Sequence, residues 1–208
     1  MEKKYEFTNE TRTIRDDKGI LHIVYQIRAL KDFGDVKKGD LGGWLEKESN
    51  LSQEGDCWVY SDAMVYGYAE VYGNAEVYGN TKVYGNAEVY GNTKVYGYAE
   101  VSDSAKVYDG AYIGGTAKVY GNAQVYEIAW VYDEAQVSDD AQVYGYAQVY
   151  GKASIRDTAE VYGHALVYEE ASIGGTAKVY GKARVYGDAQ VYGNARVENE
   201  SIVDTAVV

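Results

Sequence analysis

From Val59 onward the chain repeats one pattern of apolar and polar positions every six residues: an aliphatic residue, an outward residue that is usually Tyr, two turn residues, a small residue and a polar one. The stretch VYGNAEVYGNTKVYGNAEVYGNTK, Val71 to Lys94, shows four copies in a row. Stepping by six from Val59, each position is Val or Ile through Val203, with Ile113, Ile155 and Ile173 as the variants. Four residues after each stands Ala or a small relative such as Thr81, Thr93 and Ser201, with Val207 the last. Gly, or else a short polar residue or Glu, comes two residues after the aliphatic one, and the next position is often Asn.

A period of six fits neither a 3.6-residue helix nor a heptad. It fits a short strand followed by a corner: Val and Ala point inward, the neighbours of Val point outward, and Gly-Asn supplies the positive φ that a corner needs. Three strands and three corners close a coil of about 18 residues, and parallel pairing of coils builds a solenoid with a stacked Val and Ala interior. The run from Val59 to Val203 predicts about eight such coils.

Residues 1–58 break the pattern and read as a cap, with residues 59–208 as the repeat domain. ETRTI and ILHIVYQIRAL flank DDKG, two strand-like runs around a turn, which predicts a β-hairpin. Leu45 and Leu51 read as early repeat positions, and the register slips at Cys57 and Trp58. A cap is needed because an open solenoid end exposes unpaired strand edges.

Outward positions sort into three faces. Where Tyr is missing after the Val, four of the first five exceptions, Ser102, Ser138, Arg156 and Gly174, are separated by multiples of 18. A second face carries Tyr72, Tyr90, Tyr108, Tyr126, Tyr144, Tyr162 and Tyr180 without interruption. Two readings of this ladder stay open: a stiffening stack of good strand residues, or a contact surface. The second draws on Tyr112, Trp130 and Leu166 before a Val, and on Ile128 and Tyr146 at corners, read as joining Tyr108, Tyr126, Tyr144 and Tyr162 on one face.

Composition narrows the functional classes. The chain has 24 Gly, 24 Tyr, no Pro and one Cys, which removes any disulfide framework and suits a reducing compartment. The N-terminal residues lack the apolar run of a signal peptide or membrane anchor, so a cytoplasmic protein without membrane association is the expectation. Residues 1–50 hold ten basic and ten acidic side chains, which leaves the net charge of −12 to the rest. Glu127, Asp133, Glu134, Asp139 and Asp140 accumulate between Lys118 and Lys152, where no Lys or Arg occurs. Such a surface disfavours direct nucleic-acid binding, which needs cations against phosphate; it either keeps a Tyr-rich rod soluble or imitates nucleic acid toward a protein.

The chain resembles the hexapeptide-repeat proteins, whose fold is a left-handed parallel β-helix; the handedness is what the resemblance implies, since crossover rules alone favour the right hand. The segment IRALKDFGDVKKGDLGGWLEKESNLSQEGDCWVY is similar to the start of a bacterial and prophage subgroup of YdcK-like, polymer-forming proteins that mostly carry a transferase label. The resemblance implies trimers, an acyl-CoA donor held between subunits and a His as general base. The two His residues are His22, within a strand-like run, and His164, which replaces the usual corner Asn. His164 is the one weak catalytic candidate, and the long loop that interrupts the repeats of many family enzymes is absent. No metal-spaced Cys/His set or phosphate-cradling loop occurs. The expectation is therefore a non-catalytic interaction solenoid that meets a protein partner or itself, as a dimer, a trimer or an end-to-end array through the C-terminal coil. An acyltransferase is the alternative, and an acidic nucleic-acid mimic comes third.

Overall fold

The structure, a computed structural model, describes residues 2–16 and 18–204. Two long strands, β1 (Tyr5–Arg15) and β2 (Leu21–Ala29), form the expected antiparallel hairpin. Its turn is held by the Asp16 carboxylate, which accepts the N–H groups of Lys18 at 3.0 Å and Ile20 at 2.7 Å. Strand β2 pairs antiparallel with β3 (Leu41–Leu45), and β3 starts the parallel ladder by pairing with Met64 and Val65.

From β3 the chain winds as a parallel solenoid of about nine turns, with three sheets of 11, 9 and 8 strands that count the hairpin in the first. The first face carries Val65, Val83 and Val101 onward, the second Val71, Val89 and Val107, the third Val59, Val77 and Val95. Inward Val, Ile and Ala are almost entirely excluded from solvent. Burying this interior stabilises the fold by about 25 cal/mol per Å² of apolar surface removed from water, repeated at every coil. Thr81 and Thr93 take the Ala place without penalty, because each hydroxyl donates to the carbonyl of Tyr78 or Tyr90 three residues back.

The ladder begins two repeat positions before Val59, at Leu45. Leu45 pairs with the coil of Val65, and Leu51 bridges Val71, so the first coil has 20 residues where later ones have 18. The two extra residues lie between Leu51 and Val59, where the sequence register slips.

The register also shifts at the other end, against the expectation of unbroken steps to Val203. Arg184 and Val185 pair with Ser201 and Ile202, which makes that coil 17 residues long. The carbonyl of Glu200, not of Ser201, accepts the Arg184 N–H. One corner residue is missing there, so Ile202 packs on the core and Val203 is 37% exposed. Val207 and its neighbours at 205–208, where docking of the apolar terminus was expected, lie outside the described residues.

The cap completes the hydrogen bonding of the first coil. Each coil donates its N–H groups forward, as Trp58 does to Ala75 and Tyr60 to Val77, so the first coil presents carbonyls to the open mouth. Tyr5 answers with a hydroxyl donated to Leu51 O at 2.9 Å, and buried Lys4 donates its ammonium to Cys57 O at 2.9 Å and Gly55 O at 3.3 Å. Lys4 Nζ also lies 3.2 Å from Cys57 Sγ, and burial pushes the Cys57 thiol up and the Lys4 ammonium down. Cys57 is buried packing at the mouth rather than a free nucleophile.

Candidate functional site

The tyrosine ladder of the second face forms as the 18-residue spacing predicts. From Tyr72 to Tyr180, consecutive rings stack at 4.7–5.1 Å and within 6° of parallel. Their hydroxyls reach the next coil: Tyr72 donates to Glu88, Tyr108 to Gln124, Tyr126 to Gln142 and Tyr144 to Glu160. Burial pushes the Tyr108 phenol up to about 12, with the neighbouring phenols of Tyr126 and Tyr90 adding to it. Burial and the Glu160 carboxylate also raise Tyr144.

The apolar residues grouped with that ladder in the sequence do not all share its face. Residues on either side of one Val project together, so Tyr112, Trp130 and Leu166 stand on the third face beside Ile113, Val131 and Val167. Tyr108, Tyr126, Tyr144 and Tyr162 stand on the second face, and three residues separate the two sets at the corner. What the structure brings together is a strip along that corner. Ile128 (47% exposed), Tyr146 (55%) and His164 follow one another down one column, with Tyr112, Trp130 (41%), Gln148 and Leu166 in the next. Tyr146 stacks on His164 at 4.9 Å and 8°, and Tyr112 meets Trp130 at 4.9 Å. His164 is therefore one plate of an exposed aromatic stack.

The acidic residues do not form one face either. The stretch from Glu127 to Asp140 is shorter than a coil, so it wraps the rod: Glu127 lies at the second-to-third corner, Asp133 and Glu134 at the next, and Asp139 and Asp140 at the last. Glu127, Asp133 and Asp139 occupy the left-handed corner place with φ of 58–59°. Asp is among the residues that tolerate this conformation because its short carboxylate can bond locally. Here Asp133 accepts the Gly151 N–H at 3.3 Å and Asp139 the Asp157 N–H at 3.2 Å, each one coil on. Asp140 accepts from Asn122 at 3.0 Å. Much of the acidity thus serves the corners.

A second site was not legible in the sequence. The far end of the hairpin lies against the first face, where Val24, Trp44 and Tyr66 form a buried cluster. His22 sits between two carboxylates: Nδ1 is 3.0 Å from Glu46 Oε1 and Nε2 3.5 Å from Asp16 Oδ2. Glu46 in turn accepts the Gly67 N–H at 2.6 Å, and the His22 ring packs 4.9 Å from Tyr66. Beside His22 opens a cleft of about 580 Å³ between the hairpin and the rod, with Tyr84, Ser102 and Tyr120 on the rod side. The signal that could have pointed here is the break in the first-face ladder at Ser102. The partners of His22 come from residues with no repeat relation to it.

Among the described residues, no group of three or more His, Cys, Asp or Glu is placed to hold a metal ion, and no helix is long and apolar enough to cross a membrane.

The YdcK β-solenoid repeat family matches at residues 135–151 and 189–204. A stretch of 63 residues is 41% identical to a protein of Escherichia coli (strain K12) named uncharacterized acetyltransferase YdcK. That alignment covers 28% of this chain and 19% of the relative. The chain is a parallel β-solenoid closed at one end by an antiparallel hairpin, and two stretches of it are similar to YdcK-type repeats.

Proposed function

We propose that this solenoid is a rigid interaction module that meets a protein partner, or a second copy of itself, through the corner strip of Tyr112, Ile128, Trp130, Tyr146, His164 and Leu166. The observation that carries the reading is the gathering of exposed Ile128, Trp130, Tyr146 and His164 with half-buried Tyr112 and Leu166 at one corner. The same columns carry Glu76 and Lys94 on one side of the strip and Lys182 and Arg184 on the other. An apolar centre with a charged rim is the anatomy of a protein contact. The solenoid holds the strip in place, because every strand in it is paired on both sides. Light scattering on wild type and Trp130→Glu, with partner capture on the same two proteins, tests it. Loss of the assembly or of the captured partner in the variant is the expected result; identical mass and identical capture would overturn the reading.

Acyl transfer is the second reading, supported by the printed name of the Escherichia coli relative and by His22. A general base needs an oriented imidazole, and Glu46 supplies that orientation. On this reading His22 rather than exposed His164 takes the proton, and acyl-CoA is the donor. Turnover of acetyl-CoA that is lost in His22→Asn and kept in His164→Asn is the expected result, and the reverse pattern would sink it.

A further inference from the structure

The seat of His22 suits the charged ring better than the neutral one. His22 lies on β2 next to the hairpin turn, with its side chain only 13% exposed. Nδ1 faces Glu46 Oε1 at 3.0 Å, and Nε2 faces Asp16 Oδ2 at 3.5 Å. Nε2 is shut off from solvent and, at that separation, without a hydrogen bond. A neutral imidazole carries one N–H, so it serves one of the two carboxylates and turns a lone pair toward the other. The imidazolium donates from both nitrogens, and each bond is then charge-assisted.

The two carboxylates belong to the two bodies that meet here. Asp16 closes the hairpin turn by accepting the Lys18 and Ile20 N–H groups. Glu46 follows β3 at the start of the solenoid and accepts the Gly67 N–H, one coil on, at 2.6 Å. Desolvation works against the Asp16 carboxylate, but the Ile20 N–H, the His22 ring and the Lys18 N–H together hold its pKa below the ordinary value. A depressed carboxyl loses its contribution only as pH falls through the acid range, so Asp16 stays ionised over the interval of about pH 5 to 8 in which imidazoles titrate.

The other groups around His22 do not take up protons in that interval. Tyr66 of the first face packs on the ring at 4.9 Å, and Lys18, Glu100, Asp103 and Lys118 line the cleft beside it. The body of the hairpin is held by apolar packing of Val24, Trp44 and Tyr66, with Ile14 against them. Arg12 adds a pair with Asp62 at 2.8 Å and lies over the Trp44 ring. A proton on His22 therefore acts on the turn and leaves the rest of the hairpin seated.

We propose that His22 is a proton-operated latch: taking up a proton ties the hairpin turn, through Asp16, to the first coil, through Glu46, and losing it loosens the turn beside the cleft. Asp16, Lys18 and Ile20 form one wall of that cleft, so the same proton sets how far it stays closed. The latch rests on neither reading of the protein's function, since it needs no reaction and lies on a different face from the corner strip.

Hydrogen exchange followed by NMR on the full chain tests it at about pH 5.5 and about pH 8, with rates corrected for the base dependence of exchange and the ring nitrogen shifts of His22 recorded alongside. His22 is expected to carry two ring protons at the lower pH and one at the higher. Across the same step the protection of the Ile20 and Gly67 N–H groups should fall about tenfold or more, while the Tyr126 N–H, in the middle of the rod, keeps its protection. His22→Gln, which cannot take up a proton, is expected to give equal protection at both pH values; His164 remains in that variant and cannot supply the difference. Should His22→Gln lose its near-UV circular dichroism, Asp16→Asn, which keeps an acceptor in the turn and removes its charge, is expected to abolish the pH dependence at Ile20. Equal protection at both pH values in wild type, a His22 ring that keeps one protonation state throughout, or a pH dependence that survives these substitutions would overturn the proposal.

Discussion

The first and second faces share the same inward Val and Ala and differ in what they present outward. The second face has tyrosine at every rung from Tyr72 to Tyr180, whereas the first has Ser102, Ser138, Arg156 and Gly174 among its rungs. The break therefore owes nothing to the core. Three of the four interrupted rungs are followed by Asp in the left-handed corner place, Asp103, Asp139 and Asp157, and each carboxylate accepts an N–H of the next coil. One face ties its coils with stacked rings, and the other adds carboxylate-to-backbone bonds at its corner. The face with broken stacking is also the one that receives the hairpin. In a repeat protein the inward residues are committed to the fold, and variation at the outward ones is where a site can be made.

The largest separation between the faces is expected under alkali. The phenol of Tyr108, on the second face, is pushed up to about 12, chiefly by burial, above its ordinary 10. A group whose folded-state pKa is raised stabilises the fold fully below its unfolded value and loses that contribution as pH rises through the folded one. Stability should hold to about pH 10 and fall as the pH approaches 12, as far-UV circular dichroism and phenolate absorbance recorded together would show. Phenolate formation complete at pH 10 with the fold intact would remove the claim that the ladder is desolvated.

Next comes the hairpin contact. Tyr66 is only 3% exposed beneath the hairpin, so Tyr66→Ala should cost about 3–5 kcal/mol in denaturant unfolding. Tyr126→Ala, on the unbroken ladder, loses two ring stacks and should cost about 1–3 kcal/mol. Equal losses would mean that the hairpin adds nothing to its face.

Ser102→Tyr tests the same comparison in the opposite direction. Ser102 is only 7% exposed, so a new ring there should destabilise the chain by about 1–3 kcal/mol, as should the same change at Gly114, where the Tyr96 ring fills the space. The smallest effect belongs to the corners. Asp139→Ala removes the acceptor of the Asp157 N–H and should cost about 1 kcal/mol, and Asp139→Gly less, because Gly adopts positive φ without strain.

Parts of this architecture could be read from the residues because each repeat touches the next at one fixed offset. The inward Val and Ala, the three faces, the unbroken ladder and the slip at Cys57 follow from counting by 6 and by 18. Counting failed where the offset changed. At the last coil a corner residue is missing, so Ile202 takes the place expected for Val203. Counting also placed Trp130 and Tyr126 on one face, although a corner lies between them, and it read the run from Glu127 to Asp140 as a patch, although a segment shorter than a coil must wrap around the rod.

What the sequence by itself determined is therefore the solenoid: a β-branched residue every six positions, a small residue four further on and a corner that accepts positive φ leave the chain one way to bury its apolar set. The tertiary structure decided where the hairpin lies, which histidine acquires carboxylate neighbours and how a missing rung is covered. Those outcomes rest on contacts such as His22 with Glu46, Trp44 with Tyr66 and Tyr192 over Gly174. The first two join residues that no repeat relates, and the third turns on which way a ring tips into the space beside it. Neither is written in a period of six.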